Sequence, residues 1–431
     1  MKRVLGWRWM LLPLTPLYRL GLWVRAQMLG WGLEPVRRLN FPVVSIGNLS
    51  TGGSGKTPLA IALVQLMVKR GVSVDVLSRG YGRESVQTER VRKDGSAAEF
   101  GDEPLLIARQ TEVPVYVSPM RVQAGMMAES EFANEELARK AEYDRAQKEW
   151  EAAVTRWEEA RKAAMGLPEE ASADSTGAPQ PAKDEAHEAA KHLPESDAQQ
   201  QGEGTTAVAE EETPSAEVPE RPDAPPPFEI RQLVHLLDDG FQHRQLKRQI
   251  DIVLLNMEDW QDRLLPAGNL REPIEALNRA SLICIPAEEV ALEKALRSWG
   301  WQGPTWKLKR KMVVPPVKGP VAALCGIARP ERFTDGLAAL NVPLVACYTF
   351  PDHYAFTAEI LESVIEEARM AHATAVLTTE KDMARLGPLI ELFPKTMPLK
   401  PVPLKVEIAD EAVAMDWLMD RLGIHTRARR M

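Results

Sequence analysis

The sequence predicts an α/β protein: a parallel sheet flanked by helices, a second, smaller α/β subdomain after it, and a helix lying in a membrane interface before it. Three observations carry this expectation. Between Phe41 and Arg121, short apolar runs alternate with helix-like runs ("FPVVSIG", "TPLAIALVQLMVKRG", "VSVDVLSRG", "EPLLIARQT", "VPVYVS"), which is the rhythm of β-α-β units. The rhythm stops near residue 129 and returns near residue 228 with "RQLVHLLDDGFQH", "DIVLLN" and "ASLICIP", and again with "GPVAALCGIA", "VPLVACYTF" and "TAVLTTEKD". The chain begins with a Trp- and Leu-rich stretch, Val4 to Leu33, that Arg8, Arg19 and Arg25 interrupt.

The first element, residues 1–40, is too broken by arginines to span a bilayer. Its longest uncharged run, Trp9 to Tyr18, is ten residues, against the roughly 20 a hydrocarbon core requires. It also lacks the apolar core and small-residue cleavage site of a removed signal peptide. Indoles interspersed with guanidinium groups suit a helix lying among lipid headgroups; the competing reading is a Trp-rich helix packed on the core. Residues 41–128 form the first part of the α/β core. Residues 129–227 read as an insertion: a charged, alanine-rich helix to about Ala164, with opposite charges three or four apart, then a Pro-, Glu- and Ser-rich stretch too poor in large apolar residues to order itself. Residues 228–314 complete the core, and 315–431 form the smaller subdomain.

Composition narrows the function classes. At 431 residues and 45% apolar content the chain is large enough for a two-domain enzyme. A formal charge of -8 and a pI near 5.6 argue against a nucleic-acid partner bound through overall positive charge. Cys284, Cys325 and Cys347 are widely spaced in apolar settings and read as small buried hydrophobes rather than a disulfide or zinc framework. No feature sets an oligomeric state.

The stretch "SIGNLSTGGSGKTP", Ser45 to Pro58, has the strand, loop and helix context of a phosphate loop, which makes the core P-loop NTPase-like. Gly52, Gly53, Ser54 and Gly55 let backbone N–H groups converge on phosphate oxygens at a helix start. Lys56 then neutralises the β and γ phosphates of a nucleotide, Thr57 offers a hydroxyl to Mg2+, and Pro58 is tolerated in the first turn. Ser50 stands where the strict pattern has glycine, so either the start of the loop needs no unusual backbone angle or the chain turns elsewhere, with Gly47 the candidate.

A nucleotide site also needs an acidic residue at the end of a second strand, and Asp238 and Asp239 close "LVHLLDD"; they read equally as turn chemistry in Asp-Asp-Gly. Asp102 and Glu103 precede a helix that Pro104 opens, and Asp102 is either its N-cap or a group that activates a hydroxyl. Asp352 and His353 are adjacent and offer a carboxylate-oriented imidazole or an ordinary loop.

Taken together, "VVSIGNLSTGGSGKTP", "LSRGYGR", "GDEPLLIA", "LLDDGFQHRQLKRQIDIVLLN", "LLPAGNLREP", "CGIARPERF", "FPDHYAFT" and "LTTEKDMARL", in this order, resemble the tetraacyldisaccharide 4'-kinases, the lipid A 4'-kinases of Gram-negative bacteria. The resemblance covers about Val43 to Leu386 apart from the insertion, and that family too carries a non-glycine residue at the place of Ser50. It implies a peripheral or monotopic enzyme at the cytoplasmic face of the inner membrane, phosphorylating the 4'-hydroxyl of a lipid A precursor disaccharide from ATP with Mg2+. It further implies that Asp102 is the catalytic base with His353 beside it, and that Lys56, Asp238, Asp239 and Arg271 serve catalysis. Thr57, Asp239 and Glu272 would attend the metal, and Arg79, Tyr81, Arg121 and His243 the lipid substrate. Arg121 follows Met120 where the family carries an aspartate.

The competing function is a partner-binding P-loop ATPase switch at the membrane. Its marker, a lysine just before the paired glycines, is absent, since Thr51 stands there.

Overall fold

The computed structural model describes residues 8–165 and 220–424. Met1–Trp7 and residues 166–219, most of the stretch expected to stay unordered, lie outside the described residues.

A 3-10 turn, Arg8–Leu14, leads into helix α1 (Thr15–Gly30). Leu11 of the turn and Thr15, Tyr18, Leu22, Ala26 and Leu29 of α1 are half-buried and spaced three or four apart as one helical face requires, with Gln27 half-buried beside them. Leu17, Leu20, Trp23, Val24, Met28 and Trp31 stand exposed on the other side. Among the described residues no helix is long and apolar enough to cross a membrane.

The core then builds up as β1 (Val43–Asn48), α2 (Lys56–Lys69), β2 (Ser73–Ser78), β3 (Glu89–Arg90), α3 (Ala97–Phe100), α4 (Asp102–Gln110), β4 (Val115–Val117) and α5 (Arg121–Ala164). It continues through β5 (Leu233–Asp238), β6 (Ile250–Leu254), α6 (Met257–Gln261), β7 (Leu282–Pro286), α7 (Val290–Trp299) and β8 (Thr305–Met312). β9 (Val321–Cys325), α8 (Pro330–Ala339), β10 (Leu344–Thr349), α9 (Ala358–Met370), β11 (Ala375–Thr379), α10 (Glu380–Leu386) and β12 (Leu399–Val402) follow, before β13 (Leu404–Ile408) and α11 (Glu411–Leu422).

Nine strands make one sheet in the order β13-β8-β7-β6-β1-β5-β2-β4-β3. Its interior pairs are parallel and only the edge pairs β13·β8 and β3·β4 are antiparallel. All six residues of β1 are buried, as a central parallel strand covered on both faces must be. Val44 and Ile46 point into a cluster completed by Leu59, Leu63 and Met67 of α2, while Val43 joins Leu237, Tyr116 and Ala128 on the other face. Gly47 makes no turn: it lies within β1, where an added Cβ would fall 2.5 Å from Cβ of Phe241.

The second sheet, β10-β9-β11-β12, is parallel throughout. The smaller subdomain is therefore shorter than the expected 315–431, because β13 and α11 return to the first sheet, where β13 pairs with β8 and Met415 and Leu418 fill the α2 side of the core. Cys284 and Cys325 are buried as expected, but Cys347 is exposed.

The charged helix begins at Arg121, eight residues before the expected insertion. Its first turns belong to the core: Ala124, Ala128 and Phe132 are buried, and Glu129 accepts hydrogen bonds from the Asn40 and Phe41 backbone. Among the described residues, 137–165 and 220–229 belong to a separate compact unit. Within it, Trp150 donates to the Pro222 carbonyl at 3.1 Å and Tyr143 packs on Phe228, so the helix is not bare on that side.

Candidate active site

The carboxyl ends of β1 and β5 are neighbours, with Ile46 opposite Asp238, and this is the edge of an α/β sheet where ligands gather. From β1 the chain passes through Asn48, Leu49 and Ser50 into a glycine loop. Gly52, Gly53 and Gly55 adopt φ of 76°, 59° and 87°, a left-handed backbone that side-chain-bearing residues avoid. Ser50 needs no such angle. It is fully buried in an antiparallel bridge to Leu270, and its Oγ accepts from the Asn48 amide at 3.1 Å. α2 starts at Lys56, immediately after Gly55.

Lys56 donates to Asn48 Oδ1 at 3.0 Å and lies 3.4 Å from Asp239. Arg271 grips both Asp239 oxygens at 2.9 Å and reaches Asn48 Oδ1 at 2.6 Å. These two cations hold the Asp239 carboxyl well below the usual range despite its burial. Asp238 behaves oppositely. Burial, with the Glu103 and Asp239 charges nearby, pushes it up to about 7, and its Oδ1 has no hydrogen-bond partner. Asp239 takes a positive φ of 46°, so the expected Asp-Asp-Gly turn and the expected charged site are the same structure.

Asp102 opens α4 and is almost fully buried. Its Oδ1 accepts from the next amide, Glu103 N–H, at 2.9 Å. Its Oδ2 meets His353 Nδ1 at 3.2 Å, Lys381 at 3.8 Å and the guanidinium of Arg385. His353 and these cations hold the Asp102 carboxyl well below its ordinary range against burial. Lys381 also contacts Glu103 at 3.2 Å, Asp352 at 3.4 Å and His353 Nε2 at 3.5 Å. His353 thus turns Nδ1 to Asp102 and Nε2 to Lys381 and, at 3.7 Å, Asp352. Tyr81, expected near substrate, lies over that ring with centroids 4.9 Å apart.

A cavity of about 360 Å³ lies beside these groups, lined by Gly53 to Pro58, Glu103, Asp352 and Lys381, whereas Asp102, His353, Asp238 and Asp239 are not among its lining residues. Residues not assigned from sequence close it over the loop. Arg310 donates to the Ser54 carbonyl at 2.8 Å and Arg332 to the Gly53 carbonyl at 3.2 Å, while Arg329 packs on Gly53 and is anchored by Asp259. Leu106, Met312, Ile327, Phe333, Val402 and Leu404 form an apolar wall. Lys381 and Arg385 occur in the "TTEKDMAR" motif, four residues apart at the start of a helix, a spacing that puts both on one face.

The remaining expected residues separate into two groups. Arg121, nearly fully buried, and exposed Arg79 lie with Arg25 of α1 and Arg248 near His243. Burial and those four cations push the His243 imidazole down to about 4. Burial and the nearby Arg79 charge lower Arg121 to about 10, and its Nε is without a partner. Glu272 does not join the acidic pair. Arg279 binds both of its oxygens, at 3.0 and 2.8 Å, and Gln242 adds a third contact.

Comparison with known proteins gives concordant matches. The family model described as tetraacyldisaccharide-1-P 4'-kinase matches residues 7–137 and 194–423. A tetraacyldisaccharide 4'-kinase of Koribacter versatilis is 32% identical over 415 residues, covering 94% of this chain and 96% of the relative. One from Anaeromyxobacter dehalogenans is 31% identical over 394 residues, covering 85% and 78%. The crystal structure of LpxK from Aquifex aeolicus in complex with ATP superposes with a TM-score of 0.58 at 25% identity, covering 96% of this chain and 99% of that one.

Proposed function

The chain belongs to the tetraacyldisaccharide-1-P 4'-kinase family, and from that membership we propose that it transfers the γ-phosphate of ATP to the 4'-hydroxyl of a tetraacylated glucosamine disaccharide 1-phosphate, giving lipid IVA. The observation that carries this reading is one cavity in which the glycine loop faces Glu103 and Asp352, the neighbours of Asp102 and His353.

The loop amides from Gly52 to Thr57 bind the phosphates and Lys56 neutralises them, with Arg310 and Arg332 adding charge from across the cavity. The apolar wall of Ile327, Phe333 and Leu404 suits a nucleobase. Asp102 accepts the proton of the attacking hydroxyl while the His353 Nδ1–H orients its carboxylate. A strongly ionised carboxylate is adequate here, because the transition state of phosphoryl transfer is loose and demands positioning and neutralised charge above basicity. Mg2+ would be held by Thr57, Asp239 and Glu272, the two carboxylates each paired with an arginine here, with Asp238 and Glu103 close by. The partnerless Asp238 oxygen and the mutual repulsion of these carboxylates are what an oxygen site for a hard cation requires. Mg2+ held there would screen the phosphate charge.

The acceptor carries its own phosphate, and the cluster of Arg25, Arg79 and Arg121 beside a neutral His243 supplies matching positive charge. The exposed apolar face of α1, with Trp23 and Trp31 flanked by Arg19 and Arg25, rests in the lipid interface at the cytoplasmic face of the inner membrane. The protein is thus peripheral or monotopic, and its acyl-chain-bearing substrate need not leave the bilayer.

Purified protein incubated with γ-labelled ATP and the disaccharide lipid in detergent micelles should put label into the lipid. ATP hydrolysis with no labelled lipid would instead identify a nucleotide-driven switch.

A further inference from the structure

The helix that carries the lipid-facing residues is fastened to the protein at a revealing place. No residue of α1 is fully buried, yet the segment is held by directed hydrogen bonds. Arg8 donates to the carbonyls of Pro266 and Gly268 and, at 2.8 Å, to Asn269 Oδ1. Tyr18 donates its hydroxyl proton to the Arg271 carbonyl at 2.9 Å. Both therefore grip one loop, residues 262–272.

That loop is stitched to the phosphate loop by its backbone. The Thr51 N–H donates to the Asn269 carbonyl at 2.9 Å and the Arg271 N–H to the Leu49 carbonyl at 2.7 Å, flanking the Ser50–Leu270 bridge. Tyr18 and Leu22 pack against the cluster that contains Leu49 and Leu270. The Arg271 side chain then reaches Asp239 and Asn48, and Asn48 accepts from Lys56. Contiguous polar contacts run from the lipid-facing helix to the phosphate-binding lysine, through a loop whose Leu264 and Leu270 are packed in the core.

We propose that Arg8 and Tyr18 are positioning residues that couple docking of α1 on a lipid surface to the geometry of the phosphate loop, so that nucleotide binds more tightly when the helix is docked. This rests on reading α1 as interfacial and the cavity as a nucleotide site. Seating the apolar face of α1 in lipid fixes the position of the helix. Through Arg8 and Tyr18 that fixes the 262–272 loop, and through the Leu49–Thr51 bridge the start of the phosphate loop. Thermodynamic linkage requires the effect to be reciprocal, so nucleotide must strengthen lipid binding by the same factor.

The test measures the affinity of a fluorescent, non-hydrolysable ATP analogue with and without phosphatidylglycerol–phosphatidylethanolamine vesicles, using the full chain and its Tyr18→Phe and Arg8→Gln variants. For the unmodified chain, vesicles should tighten the analogue by a factor of about 5 or more. In the variants this factor should fall toward one, while co-sedimentation with vesicles persists. Tyr18→Phe removes one hydroxyl and keeps the packing, so its melting temperature checks that the fold is intact. Equal factors in variant and unmodified protein overturn the proposal, as does an unmodified chain that binds both vesicles and analogue with no change in affinity. A chain that binds no analogue refutes the nucleotide reading, and one that ignores vesicles refutes the interfacial helix; either result removes the coupling with it, and the two are distinguished by which binding is lost.

Discussion

Asp102 holds its charge in a nearly dry site, which would ordinarily favour the protonated form. His353, Lys381 and Arg385 reverse that preference, so the carboxylate stays ionised from well below pH 4 upward and imposes no acid limb on activity near neutrality. Replacing Asp102 with Asn should lower kcat by about 100-fold or more, the ordinary worth of a general base, with little change in nucleotide affinity. Arg385→Gln removes one of the opposing cations and should move the acid limb of the kcat/KM profile upward by about 1 to 3 pH units. A profile unmoved by that change would mean that Asp102 is not the group whose ionisation the reaction reads. Lys381 and Arg385 had no role assigned from their sequence, since their value lies in reaching Asp102 from 283 residues away in the case of Arg385. Glu272, whose place beside Arg271 suggested a metal ligand, is bound at both oxygens by Arg279, just as Asp239 is by Arg271.

At the scale of elements, α5 has two parts with different duties. From Arg121 to Glu136 it is core: Phe132 is buried, Glu129 ties to Asn40, Phe41 and His235, and Glu136 binds the backbone N–H and side chain of Arg231. From Leu137 onward it belongs to the separate unit. Removing residues 129–227, the insertion as its composition marks it, should therefore destabilise the protein by several kcal/mol, since a large buried aromatic alone is worth about 3 kcal/mol or more. Removing 137–229 with a short Gly-Ser bridge should leave a folded, active enzyme, because the Glu136–Arg231 contact already brings the two ends together. Thermal melting and lipid phosphorylation of the two deletions check this, and failure of the shorter one would show that the unit contributes to the fold. The helix was legible as a helix from its charge pattern. Its true division was not, because Phe132 reaches the core from a stretch, 129 onward, that reads as charged and alanine-rich.

For the whole molecule, one buried group should make stability depend on pH above neutrality. His235, at the centre of the sheet, has Nδ1 2.8 Å from Asp75 and Nε2 3.5 Å from Glu129, and the two carboxylates push it up to about 9 although burial opposes its charge. Because the folded value lies above the ordinary one near 6.5, its contribution is complete below pH 6.5 and is lost as pH rises through about 9. The melting temperature should fall across that window, by an amount equivalent to about 3 kcal/mol at most. His235→Gln should flatten the decline, and an equal slope in that variant would assign the effect to other groups.

The sequence by itself determined what is local: the alternation that yields a parallel sheet, the glycines whose left-handed backbone angles shape the loop after β1, the helix starting at Lys56, and the carboxylates at strand ends. Each of these is set within a few residues, by periodicity or by steric limits on φ and ψ. Only the tertiary structure decided the pairings across the chain. β13 and α11 return to the first sheet, Arg385 closes on Asp102, and Ser50 is buried in a bridge to Leu270, which is why that loop position needs no glycine. Periodicity specifies which face of an element is buried, whereas the distant residue that meets it is selected by packing and charge matching over the whole fold.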